Sequence, residues 1–226
     1  AGTTYVASYH TDVGDYSVTS NYFTSDVVSG DLTAPAAGNG VYAYGSSDIF
    51  PTDTFNGANY WVDVVYTPQP VVIAGSSGDD VLSATGGNNI LVGGGGRDTY
   101  KIDAAAGQVD IDNRASDGIT TANGEIDFGT GISVDQLWFA QSGSDLRISV
   151  LGASEQVTVT DWYAGNARAQ VQSFNTAGGL QLDSQLAQLV SAMATYSAAN
   201  PGFNAATASQ MPVDSSLQNA VASAWH

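Results

Sequence analysis

The chain contains no cysteine, so disulfides, thiolate metal sites and thiol catalysis are excluded. Basic residues are almost as scarce: five stand against 22 acids, for a net charge of −17. All five (Arg97, Lys101, Arg114, Arg147, Arg168) lie between positions 97 and 168, and residues 1–96 carry nine acids with no Lys or Arg. Such a surface repels nucleic acid and anionic membranes, and it repels itself until divalent cations neutralise part of it. No apolar run approaches transmembrane length, so membrane insertion is not expected. The first residues show no signal-peptide pattern. The two histidines, His10 and His226, assemble neither a Ser–His–Asp triad nor a zinc spacing. A non-enzymatic protein is expected.

Glycine is plentiful, with 26 residues, and it is concentrated where the sequence is most regular. Residues 75–101 divide into three gapless blocks of nine: GSSGDDVLS, ATGGNNILV and GGGGRDTYK. The fourth position is always glycine (Gly78, Gly87, Gly96), the sixth is Asp80, Asn89 and Asp98, and the eighth is Leu82, Leu91 and Tyr100. This resembles the Gly-Gly-x-Gly-x-Asp-x-apolar-x repeat of the calcium-binding β-rolls of RTX proteins. Ca²⁺ is a hard cation that takes six to eight oxygens from carboxylates and carbonyls. Glycines let a turn aim its carbonyls inward, one carboxylate per turn anchors the ion, and the apolar eighth residue enters the interior. Two blocks make one coil, so each turn stacks on the turn two blocks later. Asp80 is therefore expected opposite Asp98, with Gly75, Ser77, Gly93, Gly94, Gly95 and Gly96 supplying carbonyls. A fourth, longer block at 102–112 puts Gly107 at the glycine position, Ile111 at the apolar one and Val109 in the acidic slot. Asn89 then faces Val109, a poor oxygen set, so one complete site and a weaker Asn89 site are expected.

Around this array the chain, at 226 residues, suffices for one large or two small domains. Residues 3–9 (TTYVASY) and 60–66 (YWVDVVY) alternate as half-buried strands do, with Gly, Pro and Asn breaks between them. His10, Asp12 and Asp15 form a histidine–carboxylate cluster, read as solvated rather than catalytic or metal-binding. TPQP at 67–70 reads as a stiff linker. Residues 110–118 (DIDNRASDG) imitate an EF-hand loop, but Arg114 stands at a ligand position and no glutamate closes it, so a turn is expected. Residues 125–128 and 136–140 read as short strands. SDLRISV and QVTVTDWY flank LGASE as a hairpin, with Leu146, Ile148 and Val150 on one face and Arg147 and Ser149 on the other; residues 171–182 make a second. Trp138, Phe139 and Trp162 can be read as a sugar-stacking platform, but their placement in strands favours core packing. Leu186, Leu189, Val190 and Met193 mark an amphipathic helix capped by Asp183 or Ser184, and a second helix begins at Asp214 with Leu217 and Val221 one turn apart.

Two further resemblances are carried by longer stretches. AGTTYVASYHTDVGDYS, GNGVYAYG and NYWVDVVY resemble the C-terminal half of the DUF4082 domain, which implies a partial jelly-roll-like sandwich with open strand edges. A second copy or an upstream segment would complete it. ISVDQLWFAQSGSDLRISVLGASEQVTVTDWY resembles the haemolysin-type calcium-binding related domain that follows RTX repeats, and two C-terminal helices after a roll resemble a type I secretion signal, or else cap the β-structure. The expected organisation is an all-β chain: half-sandwich 1–66, linker 67–74, roll 75–112, related β region 113–183 and helical tail 184–226. These resemblances imply a secreted bacterial protein, placed at the cell surface or in a matrix, with Ca²⁺ as cofactor and the type I apparatus as a partner. Its role would be structural or adhesive. The rival readings are a glycan-binding module and the non-catalytic tail of a secreted enzyme.

Overall fold

A computed structural model of the chain describes residues 4–29, 32–47, 49–62, 64, 69–114 and 123–226. The chain divides into two units, 1–67 and 68–226.

In the first unit, β1 (Val27–Ser29) pairs antiparallel with β2 (Leu32–Ala34), and β3 (Val41–Tyr42) with β4 (Asp53–Thr54); Thr19 bridges Asn59. The strands expected at 3–9 and 60–66 are not found among the described residues of those stretches, and residues 3, 63, 65 and 66 lie outside the description. At the second stretch the reason is local. Trp61 adopts φ 56°, which breaks the extended run, and its backbone N–H turns back to the Asn59 side chain at 2.8 Å. Only Pro51 and Ala58 are buried among the described residues of this unit. Among the described residues of this unit, two two-stranded sheets therefore stand where a partial sandwich is expected.

The second unit is all-β with a helical end, and it is built by coiling. Strands β5 (Val71–Ala74), β7 (Asn88–Val92) and β9 (Gln108–Asp112) stack in parallel into one sheet, while β6 (Val81–Ser83), β8 (Thr99–Ile102) and β10 (Glu125–Phe128) stack in parallel into the other. The apolar Val-Val-Ile-Ala run makes residues 71–74 the first strand of the roll, so the linker expected at 67–74 is shorter; Thr67 and Pro68 lie outside the described residues. The roll also outruns its expected end at 112. β11 (Leu137–Ser142), β12 (Asp145–Val150) and β13 (Gln156–Val159) form a meander whose last strand pairs parallel with β9. β14 (Ser173–Thr176) pairs parallel with β10 and antiparallel with β15 (Gln181–Leu182). The region after residue 113 is thus a continuation of both sheets rather than a separate layer.

Register explains the core. Leu82, Tyr100, Ile126 and Phe174 stand side by side across one sheet, and Ile73, Leu91, Ile111 and Val159 across the other. All but the half-buried Ile73 are buried, so the eighth position of each nonapeptide does point inward. Leu146, Ile148 and Val150 join this core, as do Trp138, Phe139 and Trp162, which are therefore packing residues and not a platform. Ser149, though on the opposite face, is also covered.

Two helices close the structure. α1 (Leu186–Ala199) buries Leu186, Leu189 and Met193; its N-cap is Gln185, not Asp183 or Ser184, and makes no side-chain cap. α2 (Ser215–Ala224) starts after Asp214, whose carboxylate accepts from the Leu217 N–H at 2.9 Å. Exposed N–H groups on edge strands invite further pairing. Here the Phe139 N–H on the edge strand β11 donates to the Met193 sulfur at 3.0 Å, and His226 exchanges two backbone hydrogen bonds with Gln181 of β15. The tail covers an edge of each sheet.

Candidate calcium site

Turns alternate between two edges of the roll. On one edge lie residues 75–80, 93–98, 113–114 and 123–124; on the other lie 84–87 and 103–107. Because Val81 pairs with Thr99, Asp80 and Asp98 fall on neighbouring coils, and the Asp80 N–H donates to Oδ1 of Asp98 at 3.1 Å. Asp98 is only 3 % exposed. Oδ2 of Asp80 accepts from the Ser76 N–H at 2.6 Å and its hydroxyl at 2.8 Å. These two bonds, the backbone one foremost, hold the Asp80 carboxyl below the usual carboxylate range, so it is ionised at neutral pH.

The glycines are what allow the coils to approach. A side chain on Gly75 would collide with the Gly93 carbonyl oxygen and come within 2.9 Å of Oδ2 of Asp80. One on Gly93 would strike Oδ2 of Asp98 and the Tyr100 hydroxyl, and one on Gly94 would strike the Ser76 carbonyl oxygen. Gly95 donates its N–H to that Ser76 carbonyl at 2.9 Å. Gly96 lies against Gly78 and Asp79, and Ser77 is exposed at the tip of its turn. Two carboxylates and several backbone carbonyls therefore crowd one edge. Among the described residues no group of three or more His, Cys, Asp or Glu could hold a metal, so a site here depends on carbonyl oxygens beside the Asp80–Asp98 pair. That hard, all-oxygen set suits Ca²⁺ and lacks the imidazole and thiolate ligands that zinc or copper favour. Arg97, the nearest basic residue in sequence, ion-pairs with Glu125 at 3.2 Å.

Asn89 is elsewhere. It sits on the opposite edge, paired with Val109 as the spacing predicts, and is 2 % exposed. Its Oδ1 accepts from the Thr85 hydroxyl at 3.2 Å, and its Nδ2 donates to the carbonyls of Gly86 at 3.1 Å and Ala106 at 3.4 Å. An amide N–H thus satisfies the carbonyls of two successive turns, where a cation would otherwise be needed. Farther along this edge Glu155 accepts from the Ala105 N–H at 2.5 Å, and Gln108 donates to the Ser154 carbonyl at 2.6 Å.

Several residues that matter here are not in the sequence-derived set. Ser76, not Ser77, makes the contacts to Asp80; its place four residues before the acid is the available signal. Asp79 accepts from the Arg97 N–H at 2.7 Å and ties the first turn to the third. Asn113 repeats the Asn89 device: its Nδ2 donates to the carbonyls of Asn123, Gln170 and Arg168, and its Oδ1 accepts from the buried Tyr100 hydroxyl at 2.8 Å. Burial first, then Asp98 and Asp112, pushes that phenol well above its ordinary range, so it stays a neutral donor. Arg114 clamps Asp112 at 2.7 Å and Asp161 at 2.9 Å, which uses one acid of the EF-hand-like stretch, Asp112; residues 115–118 lie outside the description. In the first unit His10 pairs with Asp12 at 3.2 Å on the exposed surface.

Three segments match known families. Residues 1–62 match the domain of unknown function DUF4082, residues 72–100 the RTX calcium-binding nonapeptide repeat, and residues 145–185 the haemolysin-type calcium binding protein related domain. In that order these three segments make up the recognised part of the chain, and Ca²⁺, the ion that RTX nonapeptide repeats bind, is its cofactor.

Proposed function

We propose that this chain is a non-enzymatic structural or adhesive part of an exported RTX-type protein, whose roll is ordered by Ca²⁺ outside the cell. The observation that carries this is the Asp80–Asp98 edge, where two carboxylates and close-packed carbonyls lie on neighbouring coils and the Asp80 N–H donates to Asp98. With no cation these oxygens repel, and with one they hold the coils in register. Native-state binding stabilises by RT ln(1 + [Ca²⁺]/Kd), about 1.4 kcal/mol per site when calcium is roughly tenfold above Kd. At the low calcium of a cytosol that contribution vanishes, leaving a loose roll suited to a type I secretion channel. At the surface or in a matrix the roll sets, and the net acidity of the chain leaves room for further cation bridging between copies. Among the described residues no helix is long and apolar enough to cross a membrane.

The test is protease resistance across a calcium series. Residues 75–112 should be cut at micromolar calcium and resist at millimolar calcium, reversibly with EGTA. Cleavage that ignores calcium would remove the proposed coupling of metal, folding and export.

A further inference from the structure

The first unit holds eight of the chain's eleven tyrosines and buries very little. Six of them, Tyr5, Tyr9, Tyr16, Tyr42, Tyr44 and Tyr60, line a cleft of about 780 Å³, within the size range of small-molecule sites. The rings brace one another edge to face: Tyr16 and Tyr60 lie 5.6 Å apart, and Tyr42 stands 5.5 Å from Tyr44 and 6.3 Å from Tyr60. The Tyr9 hydroxyl donates to the Tyr60 carbonyl at 3.3 Å. Despite this bracing Tyr44 is 78 % exposed, and Tyr5 at the rim is 84 % exposed. Edge-to-face packing fixes such rings while leaving ring faces open to a ligand.

Charge decides the ligand class. Among the described residues lining the cleft there is no Asp, Glu, Lys or Arg; the polar groups are hydroxyls, His10 and the amides of Asn39 and Asn59. A phosphate, sulfate or uronic acid would find no cation there, and a cationic ligand would find no carboxylate. A neutral ligand with apolar ring faces and many hydroxyls suits exposed tyrosine rings framed by amides and hydroxyls. We infer that this cleft binds a neutral saccharide, with Tyr44 as its principal stacking surface. The inference concerns the first unit alone and stands apart from the calcium site.

Affinity electrophoresis of the full chain tests it, with dextran, galactomannan or mixed-linkage glucan in the gel and carboxymethyl-dextran as the charged control. At least one neutral polysaccharide should retard the chain, and the carboxymethylated one should not. Tyr44→Ala should weaken retention about tenfold, the scale expected for losing one aromatic contact. Tyr44→Phe, which keeps the ring, should retain binding, and Tyr163→Ala in the second unit should change nothing. Tyr44 is exposed enough that the alanine variant leaves the fold intact, which its circular dichroism checks. Absence of retardation by every neutral polysaccharide, or wild-type retention by Tyr44→Ala, would overturn the inference. So would a dimer that Tyr44→Ala converts to monomer without any saccharide retention, since the cleft would then belong to a second copy.

Discussion

Asp98 and Asn89 occupy the same position of the nonapeptide on opposite edges of one roll, both almost fully buried, yet they meet their surroundings in opposite ways. The amide of Asn89 supplies the N–H groups its neighbouring carbonyls need, whereas the carboxylate of Asp98 adds an acceptor to an edge already rich in them. Asp98→Ala should therefore abolish the tightest calcium signal in titration calorimetry, expected at a Kd on the order of 0.1–1 mM. Asn89→Ala should leave that signal intact but destabilise the fold by about 1–3 kcal/mol, because it strands the buried Ala106 carbonyl and the part-buried Gly86 carbonyl. Asn89→Asp offers a sharper contrast. It removes the amide donors and sets a charge beside the Gly86 and Ala106 carbonyls, so the variant should melt earlier than wild type in EGTA and recover with calcium. A melting temperature that does not respond to calcium any more than wild type does would contradict this reading of the Asn89 edge.

Among the elements, the parallel strands were legible because side-chain period and repeat period agree. Leu82, Leu91 and Tyr100 recur every nine residues and all turn inward, and the Asn89–Val109 pairing follows once the fourth block is allowed to be longer than nine. Trp61 shows what such patterns miss: the YWVDVVY alternation reads as a strand, but a left-handed backbone, a backbone N–H turned to the Asn59 side chain and an indole N–H donated to the Thr19 hydroxyl end it. The site was legible in its acids and glycines but not in Ser76 or Asn113, whose roles depend on which turn stacks on which. The second helix depends on a cap that was readable. Asp214→Ala should cost about 1 kcal/mol in a denaturant melt, the usual worth of an N-cap carboxylate. The Asp112–Arg114–Asp161 clamp adds a pH dependence. Hydrogen bonds from Arg114 depress the Asp112 carboxyl, so their stabilisation is present above the unfolded value near 3.9 and is lost as pH falls through the lower folded value. Arg114→Gln should consequently move the acid unfolding transition to higher pH, read by circular dichroism; an unmoved transition would show that the clamp contributes nothing.

At the scale of the whole molecule, the boundaries drawn from sequence were the least legible part. The decay of the repeat in the irregular block 102–112 suggested a new region from 113, but β10, β13 and β14 extend the sheets already begun by the repeats. Long-range pairing of this kind leaves no local trace. The consequence is mechanical. On the proposed reading, calcium at Asp80 and Asp98 acts on the early coils, while α1, α2 and the β11–β13 meander are held by the many buried residues they contribute to the shared apolar core. Amide hydrogen exchange followed segment by segment, with calcium and with EGTA, tests that division and the calcium account together. The account predicts that protection across residues 75–102 rises strongly with millimolar calcium, that Asp98→Ala loses the rise, and that α1 changes little. Equal protection of residues 75–102 with and without calcium would contradict it.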